Sequence, residues 1–95
     1  MGEVRNDPAL QRYELVEDGA TAFAAYRRRE GAVTFTHTVV PREIEGRGVG
    51  GRLIKAALAD VRAQGLKVVP LCSFVAAYID RHTEEQDLLA HDAPG

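Results

Sequence analysis

The chain has 95 residues, of which 45% are apolar and 27% are charged, and its formal net charge is −2. This length suits one small domain, and the weak negative charge excludes a global field that would attract nucleic acid. The three tyrosines and three phenylalanines are too scattered to predict a base-stacking platform, so neither DNA nor RNA is an expected partner.

The first half of the chain is predicted to form a polar N-terminal arm, residues 1–9, followed by three strands. The arm has no apolar stretch of the kind found in a signal peptide, and no apolar run is long enough to cross a membrane, so a cytoplasmic protein without a membrane partner is expected. Alternation of apolar and polar residues predicts strands at residues 12–16, 21–28 and 32–40. The short glycine-containing turns between them predict an antiparallel meander.

The third strand has the clearest period of two. This period predicts one face that carries Val33, Phe35, His37 and Val39, and another that carries Thr34, Thr36, Thr38 and Val40.

The second half of the chain is predicted to form a helix, a strand and a helix. An apolar stripe predicts an amphipathic helix over residues 49–64, which Gly65 ends. Residues 66–72 predict a buried strand, and Ser73 is predicted to cap a short helix. The acidic residues 84–95 are expected to add one or two turns or to fray. The element order predicts an α+β fold, with residues 10–92 as a single domain.

Between the third strand and the long helix lies a glycine-rich turn, Gly46-Arg47-Gly48-Val49-Gly50-Gly51. Glycines let backbone amides approach a bulky anion, and the first amides of a helix are unpaired and carry partial positive charge. The turn is therefore suited to phosphate groups, with Arg47 and Arg52 placed to add charge-assisted contacts. The alternative is a glycine-rich turn that holds no ligand.

Two other phosphate motifs fit the turn less well. The glycine spacing matches the dinucleotide fingerprint, but three antiparallel strands precede it and no acidic residue ends the next strand. The P-loop motif requires Lys followed by Ser or Thr where Arg52 and Leu53 stand. Both motifs are therefore disfavoured.

The turn and its surroundings resemble the GCN5-related N-acetyltransferases, whose acyl-CoA motif is Gln/Arg-x-x-Gly-x-Gly/Ala. Glu45 stands here in place of the usual first residue of that motif. Residues 35–41 and 69–82 extend the resemblance to the small YjdJ-type members, although His82-Thr83 replaces the usual terminal His-Pro. The resemblance implies a reduced GNAT fold, in which an antiparallel meander is followed by helix, strand and helix.

The resemblance implies transfer of an acetyl group from acetyl-CoA, as co-substrate, to an amine on a small molecule or a protein. A backbone amide of Val39 or Val40 is the candidate to polarise the thioester carbonyl. Arg81 either reaches the nucleotide phosphates or is simply solvated. The residues assigned to coenzyme binding are Val39, Val40, Glu45, Gly46, Arg47, Gly48, Val49, Gly50, Gly51, Arg52 and Arg81.

Several alternatives stay open beside this enzyme. A non-catalytic acyl-CoA-binding or sensing module and an interaction domain without a ligand are the rivals. His82 and His91 lack companion ligands, so no metal is expected. A monomer or weak homodimer is predicted, and the acceptor amine is not identified.

Three side chains are catalytic candidates: Cys72, His37 and Tyr78. Cys72 lies at a predicted helix start, which stabilises a thiolate that can carry the acetyl group; a buried structural thiol is the alternative. His37 is a candidate base for the amine or for Cys72, against a role in core packing. Tyr78 is implied by the resemblance as the group that reprotonates the CoA thiolate, against the alternative of a core aromatic residue.

Overall fold

The predicted meander is the centre of a five-stranded sheet in the computed structural model, which describes residues 3–90. The strands follow one another across the sheet in chain order; the first four are antiparallel, and the last is parallel to the fourth. The strands are β1 (Val4–Asp7), β2 (Arg12–Glu17), β3 (Ala20–Arg29), β4 (Ala32–Val39) and β5 (Lys67–Pro70). The α+β fold with an antiparallel meander is therefore confirmed.

Two helices and two short 3-10 helices complete the chain as the structure describes it. Helix α1 (Val49–Ala63) follows a 3-10 turn at Arg42–Ile44, and helix α2 (Ser73–Arg81) precedes a second one at Thr83–Leu88. Gly65 has a φ of +73°, which is the left-handed conformation that glycine favours directly after a helix. The predicted ends of the long helix are thus correct to within one residue. His91 and the remaining tail lie outside the described residues.

Strand β1 differs from the polar arm predicted for the start of the chain. Its backbone pairs with β2, where Val4 stands opposite Leu15. The Tyr26 hydroxyl donates a hydrogen bond to Asn6 Oδ1 at 2.6 Å, which adds a side-chain contact between β3 and this edge strand. The sequence did not predict this strand, because an edge strand with one inward apolar residue has almost no alternation of apolar and polar residues.

Both helices pack on one face of the sheet and leave the other face open. Tyr13, Leu15, Ala22, Ala24 and Phe35 alternate with more exposed residues along their strands and are buried against the helices. On α1, the apolar stripe at Leu53, Ile54, Ala57, Leu58 and Val61 is buried against the same face. The helices and this face of the sheet therefore share a single core.

A bulge in β4 reverses the predicted face of its second half. Tyr26 pairs with Phe35 but Ala25 pairs with His37, so Thr36 is an extra residue in β4. Directly paired residues share a face of the sheet, and Ala25 lies on the open face. His37 and Val39 therefore point away from the core, and Thr38 points towards the helices, which corrects the predicted shared face with Val33 and Phe35.

Strands β4 and β5 separate after a short parallel ladder. The ladder pairs Ala32–Phe35 with residues 67–70, and a final contact joins the Cys72 amide to the Phe35 carbonyl at 2.9 Å. Beyond this point the β4 edge from Thr36 onward is not paired with β5. The separation leaves an open wedge between the ends of the two strands.

Candidate functional site

The glycine turn adopts a backbone that only glycine accepts easily at two of its positions. Gly46 has a φ of +81° and Gly48 a φ of +74°, both in the left-handed region. Gly48 is also the N-cap residue of α1, and having no side chain it cannot cap the helix with one. The first recorded bond of α1 runs from the Arg52 amide to the Gly48 carbonyl at 3.0 Å, so the amides of Val49, Gly50 and Gly51 precede the helical ladder.

Gly50 and Gly51 lie within α1, where left-handed backbone does not explain them. A Cβ at Gly50 would lie 2.6 Å from Phe74 Cζ, so Gly50 makes room for the Phe74 ring. A Cβ at Gly51 would meet no heavy atom within 4 Å. Glycine in a helix costs about 0.5–1 kcal/mol relative to alanine, and neither backbone nor packing offsets that cost at Gly51.

A cleft of about 400 Å³ opens over this helix start. Because Gly51 lines it, the space beside the Gly51 backbone is open to a ligand rather than filled by protein. The cleft is lined by Val40, Ile44, Glu45, Gly46, Gly48, Val49, Gly50, Gly51 and Phe74. Seven of these residues belong to the predicted coenzyme set, namely Val40, Glu45, Gly46, Gly48, Val49, Gly50 and Gly51.

The two arginines of the turn are engaged elsewhere. Arg52 Nη2 lies 2.5 Å from Glu17 Oε1, and Arg47 pairs with Asp18 and, at 3.7 Å, with Glu17. The hydrogen bond from Arg47 lowers the pKa of the Asp18 carboxyl below its ordinary value. Both arginines thus hold the β2–β3 turn against the glycine turn, and neither lines the cleft where the phosphate contact was predicted.

Val39, Val40 and Arg81 are distributed over three places. Val40 follows the end of β4 and lines the cleft. Val39 pairs with Phe23 on β3, and its side chain lies on the open face of the sheet. Arg81 is exposed at the C-terminal end of α2, at the opposite end of that helix from Phe74, so the fold does not bring its backbone to the cleft.

Cys72 lies where β4 and β5 separate, and it is the N-cap residue of α2. Ser73, which was predicted to cap this helix, is instead its first residue. Its side chain is only 6% exposed, and its Sγ lies 3.3 Å from Thr38 Oγ1. Thr38 reaches Cys72 because the bulge at Thr36 turns it towards the helices. The thiol is therefore held at the mouth of the wedge by a hydroxyl from the neighbouring strand.

The other two catalytic candidates do not join Cys72. The His37 ring packs edge-on against Phe23 on the open face, with 5.9 Å between ring centroids, whereas Thr38 and Cys72 face the helices. Tyr78 stacks on His82 with ring centroids 3.9 Å apart. Burial raises the pKa of Tyr78, and the nearby carboxylates of the second 3-10 helix add to this shift. Cys72 thus contacts Thr38, His37 contacts Phe23 and Tyr78 contacts His82.

Residues 3–90 contain no group of three or more His, Cys, Asp or Glu residues that could hold a metal ion. Neither α1 nor α2 is long and apolar enough to span a bilayer.

Phe74 and Ile44 line the cleft and Thr38 contacts Cys72, but none of the three was among the predicted site residues. Ile44 and Phe74 read from the sequence as ordinary apolar residues, and nothing local indicates that the cleft needs them. Thr38 is found only once the bulge is known. The one available signal was Gly50, since a glycine inside a predicted helix often marks the close approach of another group.

Comparisons with known proteins cover the whole of this region. Residues 12–88 match the family model described as GCN5-related N-acetyl-transferase. Among solved structures, the chain is similar to a GCN5-like protein from Staphylococcus aureus determined by NMR in solution. The two share 28% identity and a TM-score of 0.71 over 96% of this chain and 93% of that one. A comparison with curated proteins gave no match.

Proposed function

The chain belongs to the GCN5-related N-acetyltransferase family, and on that premise we propose that it holds the diphosphate of acetyl-CoA at the start of α1. The acetyl group then passes to an amine acceptor. The amides of Val49, Gly50 and Gly51 face the diphosphate, and their partial positive charge is reinforced by the helix dipole. Acetyl-CoA supplies the activated acyl group, and the residues of the chain bind and orient it.

The observation that carries this proposal is Gly51. A glycine inside a helix without a positive φ and without a neighbour within 4 Å of its missing Cβ has no role in folding that offsets its cost. Its position on the cleft gives it a role in binding, because a methyl group there would stand between the helix amides and a bulky anion. The pattern of the turn therefore fits a phosphate ligand better than an empty turn.

The separation of the candidate side chains favours direct attack of the amine on the thioester. In that route the amine nitrogen bonds to the carbonyl carbon and the C–S bond breaks, so that the sulfur leaves as CoA thiolate. The nitrogen releases one proton and the thiolate takes up one, which gives an amide and free CoA thiol. The Val40 backbone, at the cleft end of β4, is our candidate for the amide that stabilises the oxyanion. The route through Cys72 requires a base, and His37 lies on the other face of the sheet.

The enzyme test combines turnover with intact mass. Pure protein is incubated with acetyl-CoA and a panel of amines, and release of free CoA thiol is followed. We expect amine-dependent release, and no acetyl adduct on the protein in the absence of amine. An adduct on wild type that disappears in Cys72→Ala would replace the direct route by the route through Cys72.

The same geometry favours one second candidate, a module that binds acyl-CoA without turning it over. Its supporting observation is that His37, the candidate base, lies on the opposite face of the sheet from Cys72. Calorimetric titration with CoA beside the amine panel separates the two: binding without release on any amine supports the module. Absence of CoA binding at millimolar concentration contradicts both.

His37→Ala and Tyr78→Phe test the remaining catalytic predictions, and we expect small effects on turnover from either.

A further inference from the structure

Phe74 is an exposed aromatic residue on a helix that otherwise buries its large apolar side chains. Val75 and Ile79 on α2 are 0% and 2% exposed, whereas Phe74 is 39% exposed. It lies in the first turn of α2, two residues after Cys72, and its ring lines the cleft over the glycine turn. The core therefore does not account for the Phe74 ring.

The position of the ring is built into α1. The Cζ atom of Phe74 would lie 2.6 Å from a Cβ at Gly50, and both Cε atoms would lie 3.3 Å from it. The tip of the ring therefore rests on the Gly50 backbone, directly beside the amides that precede the helical ladder. Gly50 has no left-handed φ, so seating this ring is the structural reason for a glycine at that position.

Phe74 also supplies much of the apolar surface that a ligand in the cleft can touch. Ile44 and Val49 line the cleft but are 0% and 1% exposed, so they form its base rather than its walls. Val40 is half-buried, and Phe74 is the more exposed of the two. The cleft thus combines helix amides, which suit an anion, with an aromatic wall, which suits an uncharged chain.

We propose that Phe74 is a specificity-determining residue whose ring packs against the pantetheine arm of the coenzyme and selects a ligand that carries this arm. The inference rests on the proposed function, because it takes the diphosphate to lie at the start of α1. The diphosphate alone is common to many nucleotides, and the helix amides do not distinguish among them. Contact with the ring adds affinity only when an arm continues from the diphosphate into the cleft.

The test compares two ligands that share the nucleotide half. Coenzyme A is titrated beside adenosine 3′-phosphate 5′-diphosphate, which keeps the diphosphate and lacks the arm. We expect Phe74→Ala to weaken CoA binding by about tenfold, the loss expected when one aromatic contact is removed. Binding of the armless nucleotide should change by less than about twofold. The readout is the ratio of the two affinities, which a general loss of structure would not change selectively.

Leu71→Ala is the matched control for this variant. Leu71 is also a large apolar residue near the start of α2 and is 71% exposed, but it does not line the cleft. We expect it to leave both affinities unchanged. Phe74→Leu, which keeps an apolar side chain, should retain part of the preference for CoA.

Gly50→Ala tests the seat of the ring by a double-mutant cycle. With Phe74 present, the added methyl group displaces the ring, and we expect a lower ratio of CoA affinity to nucleotide affinity. In a Phe74→Ala background the same change has no ring to displace and should leave the ratio unchanged.

Two results would overturn the inference while leaving the proposed function standing. Equal loss of both ligands in Phe74→Ala would place the ring at the phosphate rather than at the arm. Wild-type affinity for CoA in that variant would mean that the ring does not touch the ligand. If wild-type protein binds neither probe, the proposed function itself fails, and that outcome is distinguishable from the other two.

Discussion

At Gly51 the residue that would favour folding differs from the residue that would favour the proposed binding. In Gly51→Ala the helix gains propensity, and no neighbour lies within 4 Å of the new methyl group. We therefore expect the free energy of unfolding to rise by up to about 1 kcal/mol, measured by urea denaturation. We expect CoA affinity to fall by about tenfold, because the methyl group stands between the helix amides and the diphosphate.

Ala59→Gly is the control for this variant, since Ala59 is an exposed position on the same helix away from the cleft. It should lower stability by a similar amount and leave CoA affinity unchanged. If Gly51→Ala binds CoA with wild-type affinity, Gly51 has no role in binding, and the main support for the proposed site is lost.

Glu45 is a second residue for which we can predict whether a substitution raises or lowers CoA affinity. Its position lines the cleft, where in the proposed complex a carboxylate would repel the phosphates of CoA, and the resemblance gives Gln or Arg at this position of the motif. Glu45→Gln removes the charge and keeps the shape of the side chain. We expect calorimetry to give a CoA affinity about two- to fivefold higher at low salt, with the gain shrinking as salt screens the charge.

Glu43→Gln is the matched comparison for Glu45→Gln. Glu43 lies in the preceding 3-10 helix and does not line the cleft. It removes the same unit of charge from the same surface, so it should have a smaller effect. Equal gains from both variants would mean that net charge, and not the position of Glu45, controls binding.

At the scale of elements, the pattern of residues predicted the helices and strands that depend on local periodicity. It missed features that depend on the pairing of two elements. The apolar stripe of α1 and the alternation of β2 and β3 are local properties, and both elements are present as predicted. The bulge at Thr36 is not a local property of the pattern, because a bulge is defined by the pairing with the neighbouring strand, which the sequence of β4 alone does not show. It nevertheless turned His37 to the open face of the sheet and Thr38 towards the helices.

Pairings between distant segments explain the remaining differences. The sequence places Arg47 and Arg52 beside the glycines, but their partners Glu17 and Asp18 come from the β2–β3 turn. The contact of Phe74 with Gly50 likewise joins the first turns of two helices. The glycine turn itself was predictable because its chemistry is carried by consecutive residues.

The second 3-10 helix is tied to α1 by an ion pair with a defined pH dependence. Arg62 binds both carboxylate oxygens of Asp87, at 2.7 and 3.0 Å, and this hydrogen bonding lowers the pKa of Asp87. A carboxyl group whose pKa is lowered by folding contributes its full stabilisation above its ordinary pKa of about 3.9. This contribution to the free energy of unfolding is lost as the pH falls through the lowered pKa. We therefore expect wild-type stability to fall more steeply than that of Asp87→Asn from about pH 4 downwards.

Urea denaturation of both proteins at a series of pH values measures this difference. Asp80→Asn serves as the comparison, because within residues 3–90 the side chain of Asp80 makes no salt bridge. It should follow the wild-type slope. Parallel slopes for wild type and Asp87→Asn would show that the Arg62 pair does not contribute to folding.

At the scale of the whole molecule, one core connects every element that surrounds the cleft. Buried residues from β2 to β5, from α1 and α2 and from the second 3-10 helix form a single cluster. The cleft draws its lining from the residue after β4, the first 3-10 helix, the glycine turn and the starts of α1 and α2. A ligand there would contact several elements of one cooperative unit, so its binding energy should add to global stability rather than to one loop.

CoA should therefore raise the thermal unfolding midpoint of the whole domain. A ligand at 100 times its Kd that binds only the folded state raises the unfolding free energy by about 2.7 kcal/mol. For a domain of this length each kcal/mol corresponds to about 4–8 °C, so we expect calorimetry to show a midpoint higher by about 10–20 °C. Cys72→Ala should show the same shift, because direct transfer gives the thiol no part in holding the diphosphate. Gly51→Ala should need about tenfold more CoA to reach it. A shift that is absent in wild type at saturating CoA would contradict binding to the folded state, whatever the turnover assay gives.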